Sequence, residues 1–460
     1  MPEIKNKKEV PEVLEVDIEK LSYQGYGIAK YNGYVIFVEN ACPGDRLRIR
    51  LGKKNKNFGF GKIVEIISQS EHRIKPFCPM QKVCGACQIQ YIDYPSQLMF
   101  KKEMVEDCMR GLNVEIAEVV PSPATVGFRH KIQYPVSCTK NSKRLLAGYF
   151  KQGSHDIVNI KYCPIQPACA DRIVDFIRSQ AETFGVSGYD EASHRGILRH
   201  ILIRSSKYSG KNLILLVINS DIVPDNIKQF AKKIYADLDG ISGVGVNLNT
   251  GKTNLILGKT TMILEGEGYV EEMLCGRVFK IGPETFFQVN PGSADNIFRY
   301  VKKFISNEFN SPVILDAYAG ITAFGICLAD IAKKVISVEE VEASVKLAEK
   351  VVEENGLNNI ELYNMDAGEF FERELNQNQR KYDVTLLDPP RKGCSEMSLE
   401  YALKLTRGKI IYVSCNPATL ARDLRFLTDR GGKVEKLQPF DMFPHTYHIE
   451  NVAIISVPKT

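Results

Sequence analysis

Two segments near the C-terminus carry residues able to act together on a substrate. Ser414-Cys415-Asn416-Pro417-Ala418-Thr419 falls where an apolar run, KIIYVSC, gives way to a helix-like stretch. Pro417 suits a first helical turn. A cysteine beside a helix N-terminus feels the positive end of the dipole, which favours the nucleophilic thiolate. Phe443-Pro444-His445-Thr446-Tyr447-His448-Ile449-Glu450 precedes the last apolar run and ends on a carboxylate able to take a proton. A buried apolar thiol is the usual fate of a lone cysteine, but the place of Cys415 at a strand end argues against it. Upstream, Leu387-Asp388-Pro389-Pro390-Arg391-Lys392-Gly393 leaves an apolar strand through two prolines. They fix the backbone and withhold N–H donors, which shapes a stiff wall under a planar substrate. A different chemistry sits at Cys78, Cys84 and Cys87, spaced C-x5-C-x2-C. Grouped thiolates suit zinc or an iron–sulfur cluster, and spacing leaves both open.

The elements that must position these groups read as an α/β pattern from about residue 311. PVILDA, KVISVE, NIELYNMD, KYDVTLLDPP and KIIYVSC are short apolar runs with helical stretches between most of them. Such alternation argues a mainly parallel sheet, whose ligands sit at the carboxyl ends of the strands. Asp316, Glu339, Asp366, Asp388 and Cys415 all fall at those ends. Asp316-Ala-Tyr-Ala-Gly320 makes a turn of small residues that lets backbone approach a ligand. Glu339, about twenty residues on, is placed as a ribose-binding carboxylate would be. The loop lacks the G-x-G-x-x-G of dinucleotide sites.

The 460 residues suggest two to four domains at about 100–200 residues each. With 44% hydrophobic and 25% charged residues, disorder of the whole chain is excluded. No apolar run reaches the roughly 18 residues of a membrane helix, and MPEIKNKKEV lacks the apolar core of a secretory signal. A cytoplasmic, non-membrane protein is expected. The net charge of +5 hides local asymmetry. Residues 46–62 hold seven bases and no acid, and residues 121–155 hold Arg129, Lys131, Lys140, Lys143, Arg144 and Lys151, again with no acid. Phe58, Phe60, Phe128, Tyr134, Tyr149 and Phe150 are interleaved with them. Bases neutralise phosphates and rings stack on nucleobases, so these stretches point to a polyanion such as RNA. Residues 10–68 read as short strands with glycine punctuation, in which RLRIRL sets three arginines on one face and Leu47, Ile49 and Leu51 on the other. Pro95–Leu112 reads as a helix with Leu98, Val105, Met109 and Leu112 on one face.

Three resemblances follow. LSYQGYGIAKYNGYVIFVENACPGDRLRIRL resembles a TRAM domain, an OB-like RNA-binding barrel. The Asp316–Gly320 turn with Glu339 is similar to class I S-adenosylmethionine-dependent methyltransferases. Thr322 stands where that family usually has a second glycine, and a β-branched residue tolerates positive φ poorly. SCNPAT, FPHTYHIE and DPPRKG together resemble the RNA 5-methyluridine methyltransferases, over nearly the whole chain. Carbon 5 of uracil is too weak a nucleophile to take a methyl group unaided, and thiolate addition at carbon 6 activates it. The resemblance implies Cys415 as nucleophile and Glu450 as base, with Gln288 (in Phe286-Phe287-Gln288-Val289-Asn290), Tyr318, Glu339 and Asp388 as cofactor contacts. It also implies that Cys78, Cys84, Cys87 and Cys163 ligate a [4Fe–4S] cluster.

The implied architecture is multidomain α/β. An OB-like barrel spans 1–70, and a central α+β iron–sulfur domain spans 71–94 and 121–270. A Rossmann-like class I methyltransferase spans 95–120 and 271–460. The expected reaction is S-adenosylmethionine-dependent methylation of uridine C5 in 23S ribosomal RNA by a monomer. The alternatives are the same reaction on transfer RNA, or a non-catalytic RNA-binding iron–sulfur protein.

Overall fold

The computed structural model describes residues 11–139, 144–378 and 381–458. The strands Val13–Asp17, Lys20–Leu21, Gly27–Tyr31, Tyr34–Val38, Arg46–Lys54 and Phe58–Ser68 form one sheet, in the spatial order first, fifth, sixth, fourth, third, second. Alternation along Arg46–Lys54 buries Leu47, Ile49 and Leu51 and turns the arginines outward. Those arginines are not bare: Arg48 pairs with Glu15 at 2.9 Å and also with Glu65, and Arg46 reaches Glu15 at 3.6 Å. Neighbouring strands thus supply acids that the 46–62 run itself lacks. Of the second basic stretch, Lys140 and Lys143 lie outside the described residues.

A second six-stranded sheet is built from Lys131–Cys138, Leu145–Ala147, Leu198–Ser205, Asn212–Ile218, Ile241–Leu248 and Thr260–Gly266. Helices Ala168–Ala181 and Asp225–Asp237 bury Ile173, Ile177, Phe230 and Ile234 in its core.

The third large sheet has eight strands, in the order Ile360–Asn364, Lys334–Glu339, Val313–Ala317, Tyr382–Leu387, Thr406–Ser414, Glu450–Ser456, Lys433–Phe440, Glu115–Ile116. The first five are parallel, and Glu450–Ser456 runs antiparallel to both its neighbours. The chain leaves Val313–Ala317 toward one edge and returns on its other side at Tyr382–Leu387. That reversal opens a crevice at the carboxyl ends of these two strands.

The helix expected over 95–112 spans Tyr94–Cys108. Asp93 caps it by accepting from the Ser96 amide at 3.0 Å. It stops early because Gly111 takes a left-handed φ of +84° that breaks the helical run. Its buried face includes Lys101, whose Nζ donates to Asp441 at 2.7 Å and to the Phe443 carbonyl at 3.0 Å. Both charged side chains are fully buried. Tyr94 Oη donates to the other Asp441 oxygen at 2.8 Å and accepts from the Ser122 amide at 2.8 Å. Burial pulls the Lys101 ammonium pKa down, and Asp441 opposes that shift. No helix among the described residues is long and apolar enough to cross a membrane.

Removing one partner of such a pair leaves a buried charge uncompensated. Asp441→Asn is therefore expected to lower the unfolding free energy by about 3–5 kcal/mol, read from the denaturant midpoint. Replacing the pair together, Lys101→Met with Asp441→Leu, is expected to recover most of that loss. An Asp441→Asn midpoint equal to the parent's would refute the structural role.

Candidate active site

Cys415 follows the strand Thr406–Ser414, and Asn416 caps the helix Pro417–Thr428 by accepting from the Ala418 amide at 3.1 Å. Glu450 opens the antiparallel strand whose Asn451 is registered with Ser414. Asn451 Nδ2 also donates to the Ser414 carbonyl at 3.3 Å. The nucleophile and base candidates are thus carried on adjoining ends of paired strands. Glu450 is 6% exposed, and burial holds its carboxyl well above the ordinary carboxylate range, with Asp388 adding to the shift and Arg391 opposing it. Cys415 does not show the lowered pKa expected beside a helix end. Burial, then Glu450, pushes its thiol up to about 11, although Arg391 pulls the other way. Desolvation and two nearby carboxyls outweigh the helix end, because Cys415 lies outside the first turn.

The loop Pro389–Gly393 is strapped to the helix after Cys415. The Arg391 carbonyl accepts from Asn416 Nδ2 at 3.3 Å and from Thr419 Oγ1 at 3.2 Å. Asp423 accepts from the Cys394 amide at 3.0 Å and from Tyr412 Oη at 2.6 Å. Gly393 has φ +76°, and a Cβ there would meet Asp423 Oδ2 at 2.4 Å, so the close approach requires glycine. The Arg391 backbone is thereby fixed, and its guanidinium lowers the pKa of both Cys415 and Glu450. Arg391 lies within DPPRKG without a role that the motif itself assigns, and it is the basic residue of that motif nearest the strand end.

Across the crevice the loop after Val313–Ala317 takes left-handed φ at alternate residues: Tyr318 (+63°), Gly320 (+58°) and Thr322 (+60°). Thr322 adopts the glycine-like conformation despite its branch. It is 1% exposed and tied down at both ends, its amide donating to Ala319 and its carbonyl accepting from Ile326. Glu339 accepts from the Gly320 amide and from the Val341 amide, each at 2.8 Å, which fixes its carboxylate beneath the loop. Asp316 accepts from the Gly325 amide at 3.0 Å, and burial pushes its carboxyl up to about 7. Asp388 is likewise pushed up to about 7 by burial. Asp366 instead caps the helix Ala367–Arg373. Asn290 caps Pro291–Glu308 and donates to Ser122 Oγ and the Met442 carbonyl, both at 3.0 Å, which sets the segment carrying Gln288. Gln288, Tyr318, Glu339, Asp388, Cys415 and Glu450 line one cleft of about 1150 Å³. Phe286, Phe443 and His448 also line it. Aromatic and histidine side chains in the quoted motifs were the available signal for them.

Cys78, Cys84, Cys87 and Cys163 come together around a separate small cavity of about 20 Å³. All are unbonded, and burial raises the thiol pKa of Cys84, Cys87 and Cys163. Among the described residues, no group of three or more His, Cys, Asp or Glu side chains has the geometry to hold a metal ion.

Residues 93–457 match the family model described as tRNA (uracil-5-)-methyltransferase, and residues 7–64 match the TRAM domain model. An uncharacterised RNA methyltransferase of Halalkalibacterium halodurans is 36% identical over 452 residues, 97% of each chain. One of Clostridium tetani is 35% identical over 457 residues, 98% of each. A crystal structure of Pyrococcus abyssi tRNA (uracil-54, C5)-methyltransferase with S-adenosyl-L-homocysteine superposes with a TM-score of 0.76 and 27% identity. That match covers 96% of this chain and 99% of the other.

The raised Asp388 pKa has a stability consequence of definite sign. Its folded value of about 7 lies above the ordinary 3.8, so the folded protein holds this proton more tightly than the unfolded chain does. The resulting stabilisation is complete below the unfolded value and is lost as pH rises through about 7. Asp388→Asn is therefore expected to melt higher than the parent at about pH 8, with a smaller advantage at about pH 5. Thermal melts of both proteins at the two pH values check this, and a difference independent of pH would refute it.

Proposed function

This chain belongs to the tRNA (uracil-5-)-methyltransferase family, and on that premise we propose that it methylates carbon 5 of uridine in RNA, with Cys415 as nucleophile and Glu450 as base. The observation that carries the reading is the meeting of Cys415 and Glu450 on paired strand ends, in the same cleft as Gln288, Tyr318, Glu339 and Asp388.

The residues fit S-adenosylmethionine. A carboxylate fixed under a left-handed loop suits ribose hydroxyls, and carboxyls short of counter-charge suit a cation. When bound, that cofactor supplies an electrophilic methyl group. Gln288, Tyr318, Glu339 and Asp388 would hold it. Cys415 sulfur forms a bond to carbon 6 of uracil, and the electrons of the 5,6 double bond move toward O4. Carbon 5 becomes the nucleophile. Once it carries the methyl, Glu450 takes its proton, the double bond re-forms, and the Cys415 thiolate leaves. Cys415 is a thiol at neutral pH, so it gives its proton to solvent water as it attacks, and the departing thiolate takes a proton back from water after release. Arg391 favours the anionic form of both groups, which Cys415 needs to attack and Glu450 needs to take the carbon 5 proton.

A [4Fe–4S] cluster, rather than the tighter ligand shell of a single ion, is the reading supported for the four grouped cysteines: four unbonded sulfurs surround one cavity, and burial makes the thiolates of Cys84, Cys87 and Cys163 costly without a metal to bind. The cluster would tie the 78–87 segment to Cys163 and takes no part in methyl transfer. The proposal assigns residues 1–70 to an OB-like barrel, 71–94 with 121–270 to the cluster domain, and 95–120 with 271–460 to the transferase domain. The chain acts as a monomer in the cytoplasm. The RNA is the large-subunit ribosomal RNA implied by a TRAM barrel together with four cysteines. Similarity to the Pyrococcus abyssi enzyme favours transfer RNA as the second reading.

RNA carrying 5-fluorouridine cannot lose its carbon 5 substituent as a proton, so with cofactor it is expected to trap a covalent adduct. Peptide mapping should place that adduct on Cys415, and Cys415→Ala should form none; an undiminished adduct in the variant would overturn the assignment. Glu450→Gln is expected to accumulate methylated adduct on ordinary RNA, with release slowed roughly 100- to 10,000-fold. Anaerobically purified protein should carry about four iron and four sulfide per chain, whereas one zinc without iron would reject the cluster. Mapping 5-methyluridine in ribosomal and transfer RNA, with and without the gene, decides the substrate.

A further inference from the structure

We propose that Tyr26, Phe37, Phe58 and Phe60 on the N-terminal sheet form, with Tyr447 and His448, a continuous aromatic track that stacks the unpaired bases beside the target uridine. The inference rests on the RNA reading above and adds that the target must lie in a single-stranded stretch.

Strand alternation creates the N-terminal part of the track. Ile36 and Val38 point into the core and Phe37 between them points out, while Gly59 and Gly61 face inward and Phe58 and Phe60 outward. The parallel register sets Phe37 beside Phe60, and Val35 beside Phe58. The rings therefore collect on the outer face, with centroids 5.6 Å apart for Phe37–Phe60 and 5.8 Å for both Phe37–Phe58 and Phe58–Phe60. Tyr26 joins at 5.7 Å from Phe60 and 6.3 Å from Phe37. Burial would normally claim such rings, yet Phe58 remains 37% exposed. A contiguous outward aromatic cluster marks an interaction surface.

The occupant is argued from continuity and charge. A Cβ on Gly25 would lie 3.1 Å from the Tyr447 ring, so Tyr447 rests on the backbone next to Tyr26. Tyr447 packs on His448 at 4.3 Å, and His448 on Phe443 at 5.6 Å. His448 and Phe443 line the cleft that holds Cys415 and Glu450. Burial keeps the His448 imidazole neutral, with its pKa lowered to about 4, so it presents an uncharged ring. Phe58 and Phe60 lie within the acid-free stretch 46–62 that also carries Lys53, Lys56 and Lys62. Rings interleaved with bases, running into a uridine-sized cleft, suit the π-faces and phosphates of single-stranded RNA. An apolar protein segment would have no use for the lysines.

The test uses the full chain and a short single-stranded RNA with one 5-fluorouridine and 2-aminopurine beside it. The parent is expected to bind it and quench the 2-aminopurine. Phe58→Leu with Phe60→Leu keeps apolar bulk but removes π-faces; it should bind roughly 5- to 100-fold more weakly and lose the quenching. The salt slope of binding should not change, because no phosphate contact is removed. Tyrosine at both positions should restore affinity and quenching. If the double leucine variant melts early, Phe58→Leu alone, at the exposed position, gives the same comparison. Leucine variants that bind and quench like the parent would overturn the track. A parent that neither binds this RNA nor forms the Cys415 adduct would overturn the RNA reading itself, and the track with it.

Discussion

The buried ion pair between Lys101 and Asp441 is the contact on which the catalytic end of the molecule depends. It joins residues 340 apart in sequence. Four chain segments converge on it: the helix Tyr94–Cys108, the turn at Val120–Ser122, the start of the helix Pro291–Glu308, and the loop that leads to Glu450. The Asp441 carboxylate accepts from Lys101 and Tyr94, its carbonyl from Ser293, and its amide donates to Val120. Desolvating two charges is costly, and only such saturation of their hydrogen-bonding capacity makes the arrangement tolerable. Because Lys101 also holds the Phe443 carbonyl, the turn through His445 enters the last strand at a fixed place. His445 itself is held with φ +67°, and its amide donates to Gln97 on the same helix at 2.9 Å. The base candidate is thus aimed by a helix at the other end of the chain.

That pinned frame supports a site which is electrostatically unfavourable when empty of counter-charge. Asp316, Asp388 and Glu450 all have carboxyls raised by burial, and Cys415 is raised with them. Arg391 opposes the shifts at both Cys415 and Glu450. A cluster of this kind weakens the fold as pH rises, and it suits a positively charged ligand for the same reason. Stability surrendered at the cleft is held elsewhere, in the apolar cores beneath each sheet.

The sequence made the parallel sheet legible because its strands are short apolar runs ending in polar residues, and the five expected strand ends do gather at one edge. Cys163, distant in the chain, comes together with Cys78, Cys84 and Cys87 around one cavity. Other features depend on contacts that local patterns do not encode. Lys101 lies on the apolar face between Leu98 and Val105, which signals a buried charge, but nothing local names Asp441 as its partner. The arginine face of RLRIRL was visible, whereas the glutamates that pair with it come from other strands. The helix dipole at Cys415 was a sound local argument that burial overrode. Thr322 was expected to resist positive φ, and tertiary packing imposes it nonetheless.

The direction of one strand explains why Cys415 and Glu450 meet. In a purely parallel sheet every strand delivers its carboxyl end to the same edge, and residues at strand starts lie at the opposite edge. Glu450 is the first residue of its strand, seven residues long. Run parallel, that strand would place Glu450 roughly 20 Å from the edge that carries Cys415. It runs antiparallel, inserted between Thr406–Ser414 and Lys433–Phe440, so its first residue arrives at the carboxyl edge. An antiparallel neighbour needs only a return loop, and here that loop is the Asp441–Ile449 segment pinned by Lys101. Strand reversal and ion pair are therefore two halves of one constraint: the first brings Glu450 to the correct edge, and the second holds it there against the cost of burying a carboxyl.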